Sequence, residues 1–145
     1  MKLVRNYFNT LILVILLVGT AHANVTVSIG DVSVGGYTED IVVPVTLMNP
    51  NDIIGGFQFD VIALPTFAIL SGVTPVDSDN FTADYNVFED GSGRVVFYSN
   101  NPNGIDAGGD AVVLNLHYNG SDILSALLEL DMFDLTVSND DGEVI

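Results

Sequence analysis

The chain has 145 residues, room for one domain, and it is strongly acidic, with three Lys and Arg against 19 Asp and Glu. Proteins that bind nucleic acids need clustered basic side chains, so this charge balance excludes that class. There is no cysteine, which excludes a small disulfide-stapled scaffold and predicts a fold that rests on a hydrophobic core.

Residues 1–23 have the pattern of a secretion signal. Lys2 and Arg5 give the segment a positively charged beginning, and residues 11–18 form an unbroken apolar run. The segment ends with the small-x-small pattern of a cleavage site. The apolar run is shorter than the about 20 residues that a membrane span needs. We therefore predict cleavage to a secreted domain of residues 24–145, extracellular or at the cell surface, without membrane attachment after cleavage.

The predicted mature domain is even more acidic than the whole chain. Its 122 residues hold Arg94 as the only Lys or Arg beside 19 Asp and Glu, a formal charge of −18. A domain of this size buries roughly two thirds of its unfolded surface, which is enough for a core. The charge favours solubility at high salt, and it is equally compatible with binding of divalent cations.

Alternation of apolar and polar residues predicts about nine short strands and no amphipathic helix. In chain order they are 25–29, 41–47, 53–61, 68–73, 81–88, 94–99, 112–118, 127–130 and 132–137. Turn residues lie at 35–36 and 49–52, a hairpin signature at 89–93, a loop at 100–110 and another turn at 138–142. Pro44 cannot donate to a ladder, so the second strand should lie at an edge or contain a break.

The strand 53–61 carries more apolar area on one face than any other short run of the predicted domain, because two phenylalanines share that face. Phe57 and Phe59 share one face with Val61, while Gly56, Gln58 and Asp60 share the other. We interpret it as a central strand with the aromatic face buried, in an antiparallel β-sandwich. Only three residues follow the last turn, so the sandwich closes with a short final strand or the chain is part of a longer one.

Several segments together resemble the cohesin family. They are 54–60 followed by Leu64-Pro65, 93–101 running on to Gly104-Ile105 and Ala107-Gly108, the opening 27–31, the step 43–45 and the closing turn 138–143. The resemblance covers nearly all of 24–145. It implies a nine-stranded jelly-roll sandwich that is not an enzyme and that binds dockerins, which are small calcium-loaded modules of other secreted proteins.

The resemblance also implies where such a partner would bind, namely on one sheet that includes the third strand and the strand after the hairpin. Matched by position, the partner-binding residues are Gln58, Asp60, Val96, Tyr98, Asn101 and Gly104. The alternation agrees, because Gln58 and Tyr98 lie on the parity opposite the phenylalanines. Gly56 stands where some members have an Asn, so one contact of the family is absent here.

Catalytic and metal sites receive little support from the sequence. His117 should face water with Asn115, and nothing places a Ser beside it, so a hydrolytic triad is rejected. Because the chain has 19 Asp and Glu, some carboxylates must lie close together, so a carboxylate pair is weak evidence for a catalytic site. Calcium candidates are Asp140, Asp141 and Glu143, but their spacing is not that of an EF-hand, and turn chemistry explains them better. We predict no catalytic residue and no cofactor, with any calcium more plausibly on the partner.

Two alternatives to a dockerin-binding module stay open at this point. A carbohydrate-binding module of sandwich fold would bind polysaccharide, but such modules usually present a row of exposed aromatics. The predicted domain has no Trp, and Tyr98 is the only outward aromatic on the two strands in question. A structural or adhesion domain of the cell surface, without a dedicated ligand, is the other alternative.

Overall fold

The computed structural model describes residues 25–30, 32–33, 40–49, 52–64, 68–101, 104–105, 110–119 and 127–145. These residues form nine strands: β1 (Thr26–Ile29), β2 (Val32–Ser33), β3 (Ile41–Met48), β4 (Ile54–Leu64), β5 (Ile69–Pro75), β6 (Phe81–Val87), β7 (Gly93–Ser99), β8 (Asp110–Asn119) and β9 (Leu127–Asn139). The predicted signal segment and the predicted turn at 35–36 lie outside the described residues. Within these ranges, no helix is long and apolar enough to cross a membrane.

The strands form two antiparallel sheets that enclose one hydrophobic core. The four-stranded sheet has the order β1-β3-β8-β5, and the five-stranded sheet has the order β2-β9-β4-β7-β6. Buried side chains of both sheets belong to the same core cluster. The prediction of an all-β antiparallel sandwich of about nine strands is therefore confirmed.

The middle of the five-stranded sheet is β4, as its aromatic pattern predicted. Phe57 and Phe59 are buried, and their rings are stacked with centroids 6.1 Å apart. Phe97 of β7 stacks on Phe57 at 4.9 Å, and Phe81 of β6 stacks on Phe97 at 5.3 Å. This continuous aromatic layer holds three neighbouring strands to the core and leaves their alternate residues on the outer face.

Of the two arrangements predicted for the strand with Pro44, the structure shows the break and not the edge position, because β3 pairs with both β1 and β8. The pairing with β1 ends at Val45 opposite Ile29, so Pro44 itself lies just beyond that neighbour. The register with β8 shifts between Val45 and Thr46. A missing backbone donor is thus tolerated inside the sheet, because the ladder is already interrupted there.

The two predicted strands 127–130 and 132–137 form the single strand β9, so their separation is a wrong prediction. Asp131, which the prediction placed between the two strands, pairs with Ile62 in regular register. A β-bulge follows it: Gln58 faces Thr136 but Asp60 faces Phe133, which places one additional residue in β9. Asp134 lies there with φ 52°, a conformation that Asp adopts more readily than most residues. The additional residue interrupts the alternation within the second of the two predicted strands.

The predicted hairpin and closing turn are both present. The hairpin joins β6 to β7, and Gly91 adopts φ 86° at its tip, where a residue with a side chain would be strained. After β9, the chain turns back so that Val144 bridges to Ser138, and the Ile145 N–H donates to the Val137 carbonyl at 3.0 Å. The final segment therefore adds a short pairing to β9.

One buried polar atom of the core lacks a hydrogen bond within the described part of the chain. Tyr118 is 1 % exposed, and its hydroxyl finds no partner there. Burial raises the pKa of the Tyr118 hydroxyl well above its usual range. An unsatisfied buried hydroxyl is destabilising, since the group loses its hydrogen bonds to water on folding.

We expect Tyr118→Phe to keep or increase the stability of the domain, by about 1 kcal/mol at pH 7. Because the pKa of Tyr118 is raised in the folded state, the stability that its neutral hydroxyl contributes is complete below the pKa of the unfolded state, about 10. This contribution is lost as the pH rises above that value. The advantage of Tyr118→Phe should therefore grow between pH 10 and pH 11. Urea denaturation of wild type and variant at pH 7, pH 10 and pH 11 measures the difference in stability. A variant clearly less stable than wild type at pH 7 would contradict the prediction.

Candidate partner-binding face

The outer face of the five-stranded sheet has a central area that we call the tyrosine face. It is formed by Gly56 and Gln58 of β4, Val96 and Tyr98 of β7, and Thr136 and Ser138 of β9. The register places Gly56 between Tyr98 and Ser138, and Gln58 between Val96 and Thr136. Two cross-strand rows of three residues thus lie next to each other.

The tyrosine face contains one exposed aromatic beside a shallow depression. Tyr98 is 47 % exposed, while Gln58 and Val96 are half-buried. The depression has a volume of about 260 Å³ and extends over Gly55 and Gly56. A Cβ atom at Gly56 would lie 2.5 Å from the Phe97 carbonyl oxygen, so only glycine fits in this part of the strand.

Three predicted site residues lie together on this face. Gln58, Val96 and Tyr98 all line the depression, and the expected outward position of Gln58 and Tyr98 is confirmed. Thr136 and Ser138 complete the face, and sequence reasoning missed them because the bulge in β9 hides their alternation. The role of these residues in binding a partner stays a prediction.

Asp60 is on the outer side of β4 but is not free for a partner, contrary to the expectation. The residue is 6 % exposed, and both carboxylate oxygens accept hydrogen bonds from Arg94. The Arg94 Nε donates to Oδ1 at 2.6 Å, and a terminal nitrogen donates to Oδ2 at 2.8 Å. The hydrogen bond to Asp60 also raises the pKa of Arg94. This bidentate pair links β4 to β7.

We expect Arg94→Ala to lower the melting temperature by about 5 °C, because it leaves the buried Asp60 carboxylate without its partner. The double variant Asp60→Ala with Arg94→Ala should show a smaller decrease in melting temperature, since no buried charge remains. Thermal unfolding of the four proteins of this double-mutant cycle measures the coupling. Equal melting temperatures of wild type and Arg94→Ala would contradict this interpretation.

Gly104 lies against the end of β4 at Ile54, and Asn101 belongs to the same turn. Asn101 is exposed, and its carbonyl accepts a hydrogen bond from the Gly104 N–H at 3.0 Å. Gly104 has φ 60°, and a Cβ atom there would lie 2.7 Å from the Ile54 carbonyl oxygen. Gly104 is thus required by the turn itself, and the role of Asn101 in binding a partner stays a prediction.

The three calcium candidates lie in the turn after β9. Asn139 closes the turn: its Oδ1 accepts from the Glu143 N–H at 2.8 Å, and its Nδ2 donates to the Glu143 carboxylate. Asp140 and Asp141 are exposed. Across the described ranges, no group of three or more His, Asp and Glu could hold a metal ion. The geometry favours the turn interpretation.

His117 has a hydroxyl neighbour, which the sequence did not indicate. Its Nε2 lies 2.8 Å from Thr74 Oγ1, and its Nδ1 lies 3.2 Å from a carboxylate oxygen of Asp40. The order of groups is that of a catalytic triad, but the Asp40 side chain is well exposed, so water screens the charge that would support the imidazole. We interpret this network as a structural link that joins the residue before β3 to β8 and β5.

Comparisons with known proteins identify the fold. No protein-family model matches the chain, and no curated protein matches it. Among solved structures, the sixth cohesin of scaffoldin B from Acetivibrio cellulolyticus, in complex with a Cel5 dockerin variant, aligns with TM-score 0.65 and 20 % identity. That alignment covers 85 % of this chain and 92 % of that cohesin.

Two further cohesins show the same likeness. The cohesin CaCohA2 of Clostridium acetobutylicum, solved with a dockerin, aligns with TM-score 0.67 and 18 % identity over 84 % of this chain and 92 % of that one. The cohesin module of a family 33 glycoside hydrolase from Clostridium perfringens aligns with TM-score 0.66 and 16 % identity, covering 83 % and 87 %. The chain therefore has the cohesin fold, and the resemblance seen in its sequence is confirmed at the level of the fold.

Proposed function

We propose that this protein is a secreted, non-catalytic cohesin module that docks a dockerin-bearing protein through the tyrosine face. The observation that carries the proposal is the pairing of β4 with β7, which presents Gln58, Val96 and Tyr98 together on the outside of a cohesin fold. Structures of similar fold have been solved in complex with dockerins, which supports a partner of that class.

The chemistry of the tyrosine face suits a protein partner. A half-exposed Tyr offers a large contact area at a small entropy cost, and such residues often dominate binding energy. Around it lie an amide, two hydroxyls and a Val, none of them charged. A partner can therefore cover this area without desolvating an unpaired charge, while the acidic remainder of the domain steers the encounter.

The proposed location is outside the cell, since the signal pattern at residues 1–23 would direct export. The chain has no cysteine, so its proposed function does not depend on the redox state of the medium. Calcium in this proposal belongs to the partner, because the calcium candidates of this chain are engaged in turns or face solvent.

The proposal is tested by calorimetric titration of the domain with a panel of dockerins, each measured with calcium and with a chelator. The panel should include dockerins from the solved complexes and dockerins encoded by the organism that produces this protein. We expect at least one to bind with a Kd below about 1 μM in calcium and to lose binding in chelator. In parallel, we expect no retention on cellulose or chitin. Retention on either polymer without dockerin binding would overturn the proposal.

A further inference from the structure

The outer face of the five-stranded sheet continues beyond the Arg94–Asp60 pair into a second area, which we call the acidic end. It is formed by Ile62 and Leu64 of β4 with Glu129, Asp131 and Phe133 of β9. The register sets Leu64 opposite Glu129, Ile62 opposite Asp131, and Asp60 opposite Phe133. Since β4 and β9 alternate in step here, these side chains share the side that carries Gln58.

The acidic end exposes more apolar surface than a solvated sheet face requires. Leu64 is 44 % exposed and Phe133 is 40 % exposed, with Ile62 half-buried between them. The pairing of β7 with β4 ends at Val61 opposite Gly93, so β4 extends past its β7 neighbour at this end. A depression of about 310 Å³ lies along the rim, lined by Leu64, Leu130 and the two acids of β9.

The charge of this area is negative and is not neutralised within the described part of the chain. Glu129 and Asp131 are exposed, and Arg94, the only Lys or Arg among the described residues, is held by Asp60. The opposite sheet also exposes apolar side chains, including Val42 and Ile69, but β1, β3 and β5 contain no Asp or Glu, and β8 has one, Asp110 at its first position. The acidic end thus combines two exposed acids with exposed apolar side chains, whereas the strands of the opposite sheet hold one acid.

We propose that the acidic end is a second contact area, which binds a segment of the partner in which Lys or Arg alternates with apolar side chains. The inference rests on the proposed function, because it assigns the chemistry of the same partner. Apolar groups of the segment would cover Leu64 and Phe133, while its cations approach Glu129 and Asp131. Gln58 and Leu64 are six positions apart in β4, about 20 Å along the strand, so one small module with a basic flank can reach both areas.

The test uses the full mature domain and synthetic ten-residue peptides in calorimetric titration at low salt. One peptide alternates Lys with Leu, a second alternates Glu with Leu, and a third alternates Lys with Ser. We expect only the Lys-Leu peptide to bind well, and we expect high salt to weaken its binding. Equal binding of the Lys-Ser peptide would show attraction by net charge alone and would overturn the inference.

Matched variants separate a local site from the general negative charge. Glu129→Gln with Asp131→Asn removes two charges from the acidic end, and Asp140→Asn with Asp141→Asn removes two from the exposed turn after β9. The first pair should weaken Lys-Leu binding at least tenfold and the second less than twofold. Leu64→Ser should weaken it severalfold, with Ile69→Ser of the opposite sheet as its control. If the variants at the acidic end weaken binding no more than their controls do, the inference is overturned.

The outcome can be distinguished from a failure of the proposed function. If no dockerin binds but the Lys-Leu peptide responds as described, the dockerin proposal fails and the acidic end stands as a binding surface. If a dockerin binds through the tyrosine face while Glu129→Gln with Asp131→Asn leaves both peptide and dockerin affinity unchanged, the inference about the acidic end fails alone.

Discussion

Phe59→Ala is expected to lower the free energy of unfolding by about 3–5 kcal/mol. The side chain is fully buried in the middle of β4 and stacks in the aromatic layer with Phe57. Its removal deletes apolar contacts and leaves a cavity between two sheets that cannot both move inward. Because domains have a total stability of about 5–15 kcal/mol, this variant should lose a large fraction of it.

Urea denaturation followed by circular dichroism measures this loss, with Phe133→Ala as the matched control. Phe133 lies on the outer face, so truncation should change the stability by less than about 1 kcal/mol. A loss below about 1.5 kcal/mol for Phe59→Ala, or a larger loss for Phe133→Ala, would contradict the assignment of the two faces of this sheet.

Tyr98→Ala combined with Gln58→Ala is expected to weaken the binding of a cognate dockerin at least 100-fold, about 2.7 kcal/mol. The reason is the loss of the one exposed aromatic of the tyrosine face together with the amide that lines the same depression. Both side chains point away from the core, so the melting temperature should fall by only a few degrees. Titration calorimetry and thermal unfolding of the same preparation measure the two effects.

The control for this double variant is Val42→Ala with Asn115→Ala on the four-stranded sheet. Val42 is exposed and Asn115 is half-buried, which matches the exposure of Tyr98 and Gln58. The control should bind the dockerin with unchanged affinity. Unchanged affinity of the Tyr98 and Gln58 variant would instead place the binding site elsewhere on the domain.

The features that could be predicted from the sequence are those encoded by neighbouring residues. The alternation around Phe57 and Phe59 identified the buried face of β4, and the Gly-rich stretch before Arg94 identified the hairpin. Both depend on side-chain parity and turn chemistry, which act over a few residues. The outward position of Gln58 and Tyr98 follows from the same parity, so it was predictable without knowledge of the topology.

The features that could not be predicted depend on the register between distant strands. Asp60 and Arg94 are 34 positions apart and meet only because β4 pairs with β7, so the carboxylate that looked available to a partner is already occupied. The bulge at Asp134 broke the period of β9 and concealed Thr136 and Ser138. The contact of His117 with Thr74 likewise requires the pairing of β8 with β5.

The most direct test of the proposed docking face is an amide hydrogen-exchange map of the domain with and without a bound dockerin. We expect added protection in β4, β7 and β9 around Gln58, Tyr98 and Thr136, and none in β3 or β8 of the opposite sheet. Protection confined to β3 and β8, with the strands of the tyrosine face unchanged, would contradict the proposed mode of binding.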